Sequence, residues 1–169
     1  MQKNITNLQH QPQVNNPQTP SLEGPIYFYP PEYYVFDNFS SFQIEYQGKI
    51  YPTSEHAFQS VQFIKSDPKL AEVIRNAKSA HDAQKLAEEN KDKRETNREE
   101  IKLDVMKEIL HCKVEQHPYV KKKLLQSGDR DIVEDSWRDD YWGWGENKTG
   151  ENMLGKLWME VRKEIWDLD

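Results

Sequence analysis

Cysteine is nearly absent from the sequence. A single one, Cys112, occurs in 169 residues, which excludes an internal disulfide and is typical of a protein kept in a reducing compartment. Long hydrophobic runs are also missing. No stretch approaches the roughly 18 apolar residues that a membrane helix needs, and the first twenty residues contain no secretion signal. We therefore expect a cytoplasmic protein.

An excess of positive charge is absent too. The net charge is −6 at pH 7, whereas proteins that hold long duplex DNA by its phosphates are normally basic. If a nucleic acid is bound, we expect local contact near a reacting group. The net negative charge, taken alone, slightly favours a small ligand over a nucleic acid.

Patterns that bind metals or cofactors are missing as well. The five histidines are scattered, and the sequence contains no zinc-type pair, calcium loop or phosphate-binding glycine loop. The Gly143–Gly145 pair lacks the strand and helix register of a dinucleotide fold. A serine nucleophile has no Gly-x-Ser-x-Gly elbow. We expect no metal and no cofactor.

What the chain does have is an unusual aromatic segment from Asp135 to Gly155. It combines three tryptophans, a tyrosine, four glycines and several acids, and its apolar residues follow neither helical nor strand periodicity. Glycines between aromatic rings indicate tight turns or close approach to a ligand, and indole rings offer flat stacking faces. A surface loop pinned to the core by its tryptophans would look the same.

The chain length fits one domain with its own core. Residues 1–24 are rich in Gln, Asn and Pro and are predicted to be a disordered tail. Order should begin with an aromatic strand at Pro25–Tyr29. Phe42–Tyr46 and Lys49–Tyr51 flank Gln-Gly and predict a β-hairpin. A brief strand is expected at Ile132–Glu134.

Capping residues and apolar spacing predict a helix-dominated α+β fold with a small sheet. In the longest helix, Ile101, Val105, Ile109 and Cys112 form a stripe that should face the core. The predicted helices span 54–65, 68–76, 79–89, 95–116, 119–126 and 152–166.

Acids and a lysine are the candidates for chemistry. Glu55 falls in the first turn of a helix, where the dipole favours an anion, although a capping acid would sit there too. Asp139 and its neighbour Asp140 lie among tryptophans, where partial burial of a carboxyl group would raise its pKa and suit it for acid-base work. The alternative is that these acids only help to form a turn. Lys102 lies at the edge of the apolar stripe, where a lowered pKa would make it a nucleophile, or it is an ordinary surface lysine. His56 is expected to be packed or hydrogen-bonded rather than a base.

Two carboxylates around an anomeric carbon are the usual equipment for glycosidic cleavage. Aromatic rings can sandwich a flat base, and glycine amides can approach phosphate oxygens. From the residues alone, an N-glycosidase that acts on a nucleotide is one option among several.

Three segments carry a resemblance to a known family. They are Phe-Asp-Asn-Phe-Ser at 36–40, Gly-Lys-Ile-Tyr-Pro-Thr-Ser-Glu-His-Ala-Phe-Gln at 48–59 and Asp-Asp-Tyr-Trp-Gly-Trp-Gly at 139–145. The spacing continues through Lys102, Met106 and Lys113. Together they resemble the motifs of the NADAR family, also called YbiA-like, over about residues 26–165.

The resemblance implies a compact α-rich YbiA-like domain over residues 25–169 with N-glycosidase activity. Family members are associated with removing ADP-ribose from guanine in nucleic acid, and others with hydrolysing phosphoribosyl intermediates of riboflavin synthesis. Glu55 and Asp139 match the family's acids, and Lys102 matches a lysine proposed to form a Schiff base. The substrate contacts expected from the matching motifs and from Arg98 are Asn38, Phe39, Ser40, Gln59, Arg98, Trp142, Gly143, Gly145 and Asn152.

One position departs from the family pattern. Relatives often carry an Asn-Trp pair at the start of the long helix, and this chain has Asn97-Arg98. An arginine can stack on a base or grip a phosphate, but it does not replace indole. Trp137 is a candidate for the missing ring.

The predicted mechanism places a flat base and a ribose phosphate against Trp142 and its neighbouring glycines. Glu55 and Asp139 act as acid and base. Lys102 either attacks the opened sugar and forms an imine, or only stabilises charge while water attacks. We lean toward ADP-ribosylated guanine in DNA, with RNA possible. Riboflavin intermediates and a binding module that recognises ADP-ribose without cleaving it stay open.

Overall fold

The computed structural model describes residues 24–28 and 33–168. The predicted disordered tail lies outside the described residues except for Gly24. Tyr29, the last residue of the predicted first strand, lies outside them as well.

Six helices form about half of the described chain, and side-chain caps explain where several begin. Thr53 accepts a hydrogen bond from the backbone N–H of His56, and Ser79 accepts one from Asp82, so the predicted starts of these helices are confirmed. The helices are α1 (Ser54–Val61), α2 (Pro68–Arg75), α3 (Ala80–Glu89), α4 (Arg98–Gln116), α5 (Pro118–Gln126) and α6 (Met153–Leu168).

Two separate two-stranded sheets stand in place of one small sheet. β2 (Ile44–Tyr46) and β3 (Lys49–Tyr51) pair antiparallel as the predicted hairpin, with positive φ angles at Gln47 and Gly48 in its turn. β1 (Ile26–Tyr27) pairs in parallel with β4 (Ile132–Val133). This second pairing links the start of the described chain to the strand that leads into the aromatic segment.

The long helix α4 begins at Arg98, three residues later than predicted, because a 3₁₀ turn at Lys91–Lys93 and an extended residue, Arg94, precede it. Its core face is also shifted from the predicted stripe. Ile101 is 37% exposed, whereas Met106, Leu110 and Lys113 are fully buried beside Ile109. The alternative stripe was hidden in the sequence because it contains a lysine.

The main core centres on Trp158 of α6, which packs against Phe36 and donates a hydrogen bond from its indole N–H to the Phe36 carbonyl. A second, smaller cluster joins α1, α2 and α3 around Phe63 and Ile74. α1 contacts α2, α3 and α4. It therefore carries Glu55 to the centre of a single helix-dominated α+β domain.

Within the described part of the chain, no helix combines the length and the apolar character needed to cross a bilayer.

Candidate active site

A cavity of about 800 Å³ opens where α1, α3, the start of α4 and the aromatic segment meet. It is large enough for a nucleotide-sized ligand. Six carboxyl groups line it, two of them Glu88 and Glu89 on α3, together with aromatic residues and a set of cations. The principal lining residues are Asp37, Asn38, Phe39, Glu55, Phe58, Gln59, Lys85, Arg94, Arg98, Met106, Glu134, Arg138, Asp139 and Trp142.

Glu55 enters this cavity from the first turn of α1. Its backbone N–H donates to the Asn38 carbonyl at 3.0 Å, which fixes the helix start against the preceding loop. The side chain is 5% exposed, and Gln59 Nε2 donates to its Oε1 at 2.7 Å. Burial raises the pKa of Glu55 to about 7, aided by the negative charges of Asp37 and Asp139. Both protonation states are therefore populated at neutral pH.

Asp139 lies across the cavity in the aromatic segment. Its Oδ1 accepts backbone N–H bonds from Tyr141 at 2.9 Å and Trp142 at 2.7 Å. The turn predicted for this residue is therefore present, and it fixes the carboxyl group at the wall of the same cavity as Glu55. The structure brings these two predicted acids together.

Two further carboxyl groups were missed by sequence reasoning. Glu134 follows β4, and burial raises its pKa to about 8, with further increases from the charges of Asp139, Asp37 and Glu55. Burial also raises the pKa of Asp37, although the Phe39 N–H and Lys113 oppose it. A signal for Glu134 was available: it is an acid at the carboxyl end of a short apolar strand, where functional side chains often lie.

The loop at residues 37–40 forms the floor of the site, and a buried lysine holds it. Lys113 Nζ donates to the Asp37 carbonyl at 2.9 Å and to Ser40 Oγ at 2.8 Å. Its burial lowers the pKa of Lys113 to about 7 despite the nearby Asp37 charge. Asn38 and Phe39 line the cavity, whereas Ser40 serves to anchor the loop.

The glycines of the aromatic segment lie behind the cavity wall rather than on it. A Cβ on Gly143 would lie 2.9 Å from the Glu134 carbonyl, and one on Gly145 would lie 2.9 Å from Asp140 Cβ. Asn152 connects the same layers, since its side chain bonds the backbone of Glu134 and of Ile132. These three predicted substrate contacts therefore shape the wall from behind.

Trp142 supplies the aromatic wall that the sequence predicted. Its ring meets Phe58 edge to face, with centroids 5.3 Å apart. Trp137 does not join it: this ring is 58% exposed, lies under Arg138 and lines a separate surface depression with Gly145. The position of Trp137 outside the cavity corrects the expectation that it replaces a missing ring.

Cations line the cavity together with the carboxyl cluster. Arg98 is half-buried, and its guanidinium donates to Gln62 and to Glu99. Arg94 pairs with Glu88 at 3.1 Å, while its Nε has no hydrogen-bond partner among the described residues. Lys85 and Arg138 complete this set, which gives the cavity both acidic and cationic lining groups.

Lys102 lies in a smaller, mostly apolar cavity of about 150 Å³ that shares Phe58 and Arg98 with the larger one. Its amine contacts Glu99 at 2.6 Å and lies 3.8 Å from the centre of the Tyr141 ring. Burial lowers the pKa of Lys102, but the hydrogen bonds to Glu99 and Tyr141 outweigh it and the pKa is raised. The surroundings of Lys102 therefore do not produce the lowered pKa that a nucleophilic lysine would need.

His56 is a structural residue, as expected. Its ring nitrogens contact Thr53 Oγ1 at 2.8 Å and the Ala77 carbonyl at 3.2 Å. Among the described residues, no group of three or more His, Cys, Asp or Glu side chains could hold a metal ion.

Comparison with known proteins decides the family. The model of the NADAR domain matches residues 27–166, which include Glu55, Glu134 and Asp139. The chain belongs to the NADAR family. The resemblance predicted from the sequence motifs is confirmed.

Relatives of this NADAR protein carry two kinds of name. This chain is 37% identical over 134 residues to N-glycosidase YbiA of Escherichia coli (strain K12). The matched residues cover 79% of this chain and 82% of that protein. This chain is 35% identical over 146 residues to an N-glycosidase of Nostoc punctiforme, covering 85% and 94%. A riboflavin biosynthesis protein of Vibrio vulnificus is 34% identical over 146 residues, covering 85% of this chain and 39% of that protein.

The fold of the NADAR protein is also that of a solved relative. The NMR structure of E. coli YbiA superposes with a TM-score of 0.78 at 35% identity, covering 86% of each chain. The expected YbiA-like, helix-dominated fold is confirmed.

Proposed function

We propose that this NADAR protein is an N-glycosidase that removes ADP-ribose from guanine bases in nucleic acid. The observation that carries the proposal is the pairing of Glu55 and Asp139 in one cavity, with the pKa of Glu55 raised to about 7. A group with that pKa can both give and accept a proton at neutral pH. The N-glycosidase names of the relatives support the reaction class.

The reaction consumes one water molecule. The bond between the anomeric carbon and the base nitrogen breaks, its electron pair stays on the nitrogen, and a proton joins it there. Water adds its oxygen to the anomeric carbon and gives a proton to a carboxylate. Glu55 and Asp139 divide these two proton transfers, which contribute typically 10²- to 10⁴-fold each.

Lys102 enters the proposal as a positive charge rather than as a nucleophile. Its amine is held by Glu99 and Tyr141, and its raised pKa keeps it protonated at neutral pH. A protonated amine cannot attack a carbon. We therefore favour direct attack by water over an imine intermediate.

The lining of the cavity favours a substrate that carries both a base and phosphate. Trp142 and Phe58 offer aromatic surfaces beside the acids, and Arg94, Arg98 and Arg138 line the same cavity. Arginine binds phosphate in bidentate fashion and also stacks on flat rings. An ADP-ribosyl group joined to guanine supplies both features within one ligand.

The test is a panel of substrates followed by mass spectrometry. DNA and RNA that carry ADP-ribosylated guanine, a free nucleotide conjugate and phosphoribosyl riboflavin precursors are incubated with the protein and with the Glu55→Gln variant. We expect free ADP-ribose and intact guanine from the nucleic acid with the wild-type protein only. Release by the variant at the wild-type rate would remove Glu55 from the mechanism.

Two other outcomes of the panel correspond to the alternatives. Cleavage of riboflavin precursors alone would assign the activity that the name of the Vibrio vulnificus relative indicates. Tight binding of ADP-ribose without cleavage of any substrate would make the protein a binding module. Either result would overturn the proposed substrate.

A further inference from the structure

Glu134 is a carboxyl group of the cavity to which the proposed reaction assigns no role. It directly follows β4, and its backbone N–H donates to Asn152 Oδ1 at 2.9 Å. The Cβ-free Gly143 packs against its carbonyl. Strand, asparagine and glycine together fix the backbone of Glu134, so that its side chain borders the cavity in a defined place.

One oxygen of this carboxyl group lacks a partner. Glu134 Oε2 is buried and has no hydrogen bond among the described residues. Asn38 Oδ1, on the loop at residues 37–40, is buried and unpartnered in the same way and lines the same cavity. Buried polar atoms in native proteins are nearly always paired, and an exception calls for an explanation such as a catalytic role or a partner that binds at the site.

The charged groups around Glu134 influence the protonation state of its carboxyl group. Asp139 on its own segment, Asp37 on the loop before β2 and Glu55 on α1 all place negative charge near it. The cationic side chains of the cavity are Lys85 on α3, Arg94 just before α4, Arg98 at its first residue, and Arg138, and the His81 ring lines the cavity as well. None of these cations bonds Glu134 among the described contacts. Like-charge neighbours and burial both favour the uncharged acid.

We propose that Glu134 binds the substrate as an uncharged carboxylic acid, donating a hydrogen bond to an acceptor oxygen or nitrogen of the substrate. An uncharged acid carries one O–H donor. Buried donors need an acceptor, and none of the described residues supplies one to Oε2. A ligand that enters the cavity can bring this acceptor. Asn38 Oδ1 would in turn accept from a donor of the same ligand.

This inference rests on the proposed function and defines its substrate more closely. The substrate presents an acceptor, such as a base carbonyl, a ring nitrogen or a sugar oxygen, next to Glu134. An anionic group would be tolerated there only while Glu134 holds its proton. Raising the pH would ionise Glu134 and weaken binding, since a carboxylate cannot donate and repels an anion.

The test compares Glu134→Gln with Glu134→Met. An amide has the shape of the acid and can donate a hydrogen bond without titrating, whereas the thioether cannot donate. With ADP-ribosylated guanine DNA at neutral pH, we expect Gln to stay within about threefold of wild-type kcat/KM. We expect Met to raise KM about tenfold, the equivalent of one hydrogen bond. Thermal melting of both variants controls for folding.

The pH profile separates this role from a structural one. The KM of the wild-type protein should rise above about pH 8, the pKa of Glu134, and the profile of the Gln variant should stay flat there. If the Glu134→Gln and Glu134→Met variants both lose kcat to the same large extent, Glu134 transfers a proton and the proposal is wrong. If Met matches the wild type throughout, the carboxyl group is only a packing element and the proposal is equally wrong.

Binding of ADP-ribose, measured by calorimetry, distinguishes this proposal from the proposed reaction. In two buffers of different ionisation enthalpy at about pH 9, the wild-type protein should take up a proton on binding, and the Gln variant should take up less. Proton uptake without any cleavage would overturn the N-glycosidase and leave Glu134 as proposed. Cleavage with equal uptake by both proteins would overturn only the role of Glu134.

Discussion

The two acids of the site differ in the way the protein holds them. Glu55 receives one side-chain bond, from Gln59, and is otherwise buried beside the negative charges of Asp37 and Asp139. Asp139 receives two backbone bonds through one oxygen. The first arrangement favours a group that exchanges protons, and the second favours a group that is held in position.

Removing the proton-exchanging group should stop the chemistry without unfolding the protein. In Glu55→Gln the new amide can still accept the Gln59 bond through its oxygen, so that the fold is retained. We expect kcat to fall by on the order of 10²-fold or more. The matched control is Glu45→Gln on the exposed side of β2, which should leave kcat unchanged. Equal rates for both variants would contradict the catalytic role.

The amine of Lys102 provides a second test at this scale. Borohydride added during turnover should leave no covalent adduct, because the protonated amine cannot form an imine. Lys102→Met should keep measurable turnover but raise KM or lower kcat through loss of a positive charge. Lys107→Met, on the same helix and paired with Glu160 and Glu164, is the control. A trapped adduct that disappears in Lys102→Met would establish the imine route.

The motifs of the sequence singled out Glu55 and Asp139, which line one cavity, because each lies in a local pattern: a capped helix start and an aromatic turn. The motifs could not give the protonation state of Lys102. That state depends on Glu99 one turn away and on Tyr141 from a distant segment. Glu134 was overlooked because no single-sequence pattern marks an acid as buried.

At the scale of elements, close approach between α6 and β4 is a strict requirement. A Cβ on Gly155, near the start of α6, would lie 2.0 Å from the Ile132 carbonyl. Backbone atoms cannot move aside as a flexible side chain can. The absence of one methyl group therefore lets the aromatic segment close over the core.

Gly155→Ala should separate these elements. We expect the free energy of unfolding to fall by about 1–3 kcal/mol or more, the range of overpacked sites, as measured by chemical denaturation. Lys156→Ala, the exposed neighbour on the same helix, should change it by less than about 0.5 kcal/mol. Unchanged stability in Gly155→Ala would show that α6 can shift away from β4.

Capping residues made two helix starts predictable, since Thr53 and Ser79 each accept a hydrogen bond from the first turn as their sequence positions indicate. The cap that Asp67 supplies to α2 was not predicted. The pairing of strands was less accessible. The β2–β3 hairpin is local and was predicted, whereas β1 and β4 are joined across most of the domain. The core face of α4 was misjudged because Lys113 lies at its centre.

For the whole molecule, the buried carboxyl groups link stability to pH. The pKa values of Glu55 and Glu134 rise from 4.5 to about 7 and about 8 on folding. Between about pH 4.5 and their folded pKa values, these two groups therefore hold more protons in the folded state than in the unfolded state. Each group contributes stability that is complete below its unfolded pKa and is lost as the pH rises through its folded pKa. Lys113, with a pKa lowered to about 7, acts in the opposite direction above neutrality.

A comparison of variants isolates this effect. The Tm of the wild-type protein should decrease relative to that of Glu55→Gln as the pH rises from about 5 to about 8, because the amide cannot titrate. Relative to Glu134→Gln, the wild-type Tm should decrease in the same way, and the decrease should continue to a pH about one unit higher. Parallel Tm curves for the three proteins across this range would mean that neither carboxyl group is buried as described.

The sequence could not show which side chains come together in one cavity. Glu55, Asp139 and Arg98 belong to different elements, and their meeting depends on the packing of α1 against α3 and α4. Family motifs indicated that these positions matter together, but not which side chains share one cavity. Lys102 and Trp137 were expected in it and lie in neighbouring depressions instead.

The parallel pairing of β1 with β4 has a consequence for biosynthesis. A chain made from its N terminus displays β1 on the ribosome long before its partner strand has been translated, and closing so long a loop is slow. The wall that carries Glu134 and Asp139 depends on that closure. We expect the nascent protein to stay inactive until β4 and the aromatic segment have emerged from the ribosome.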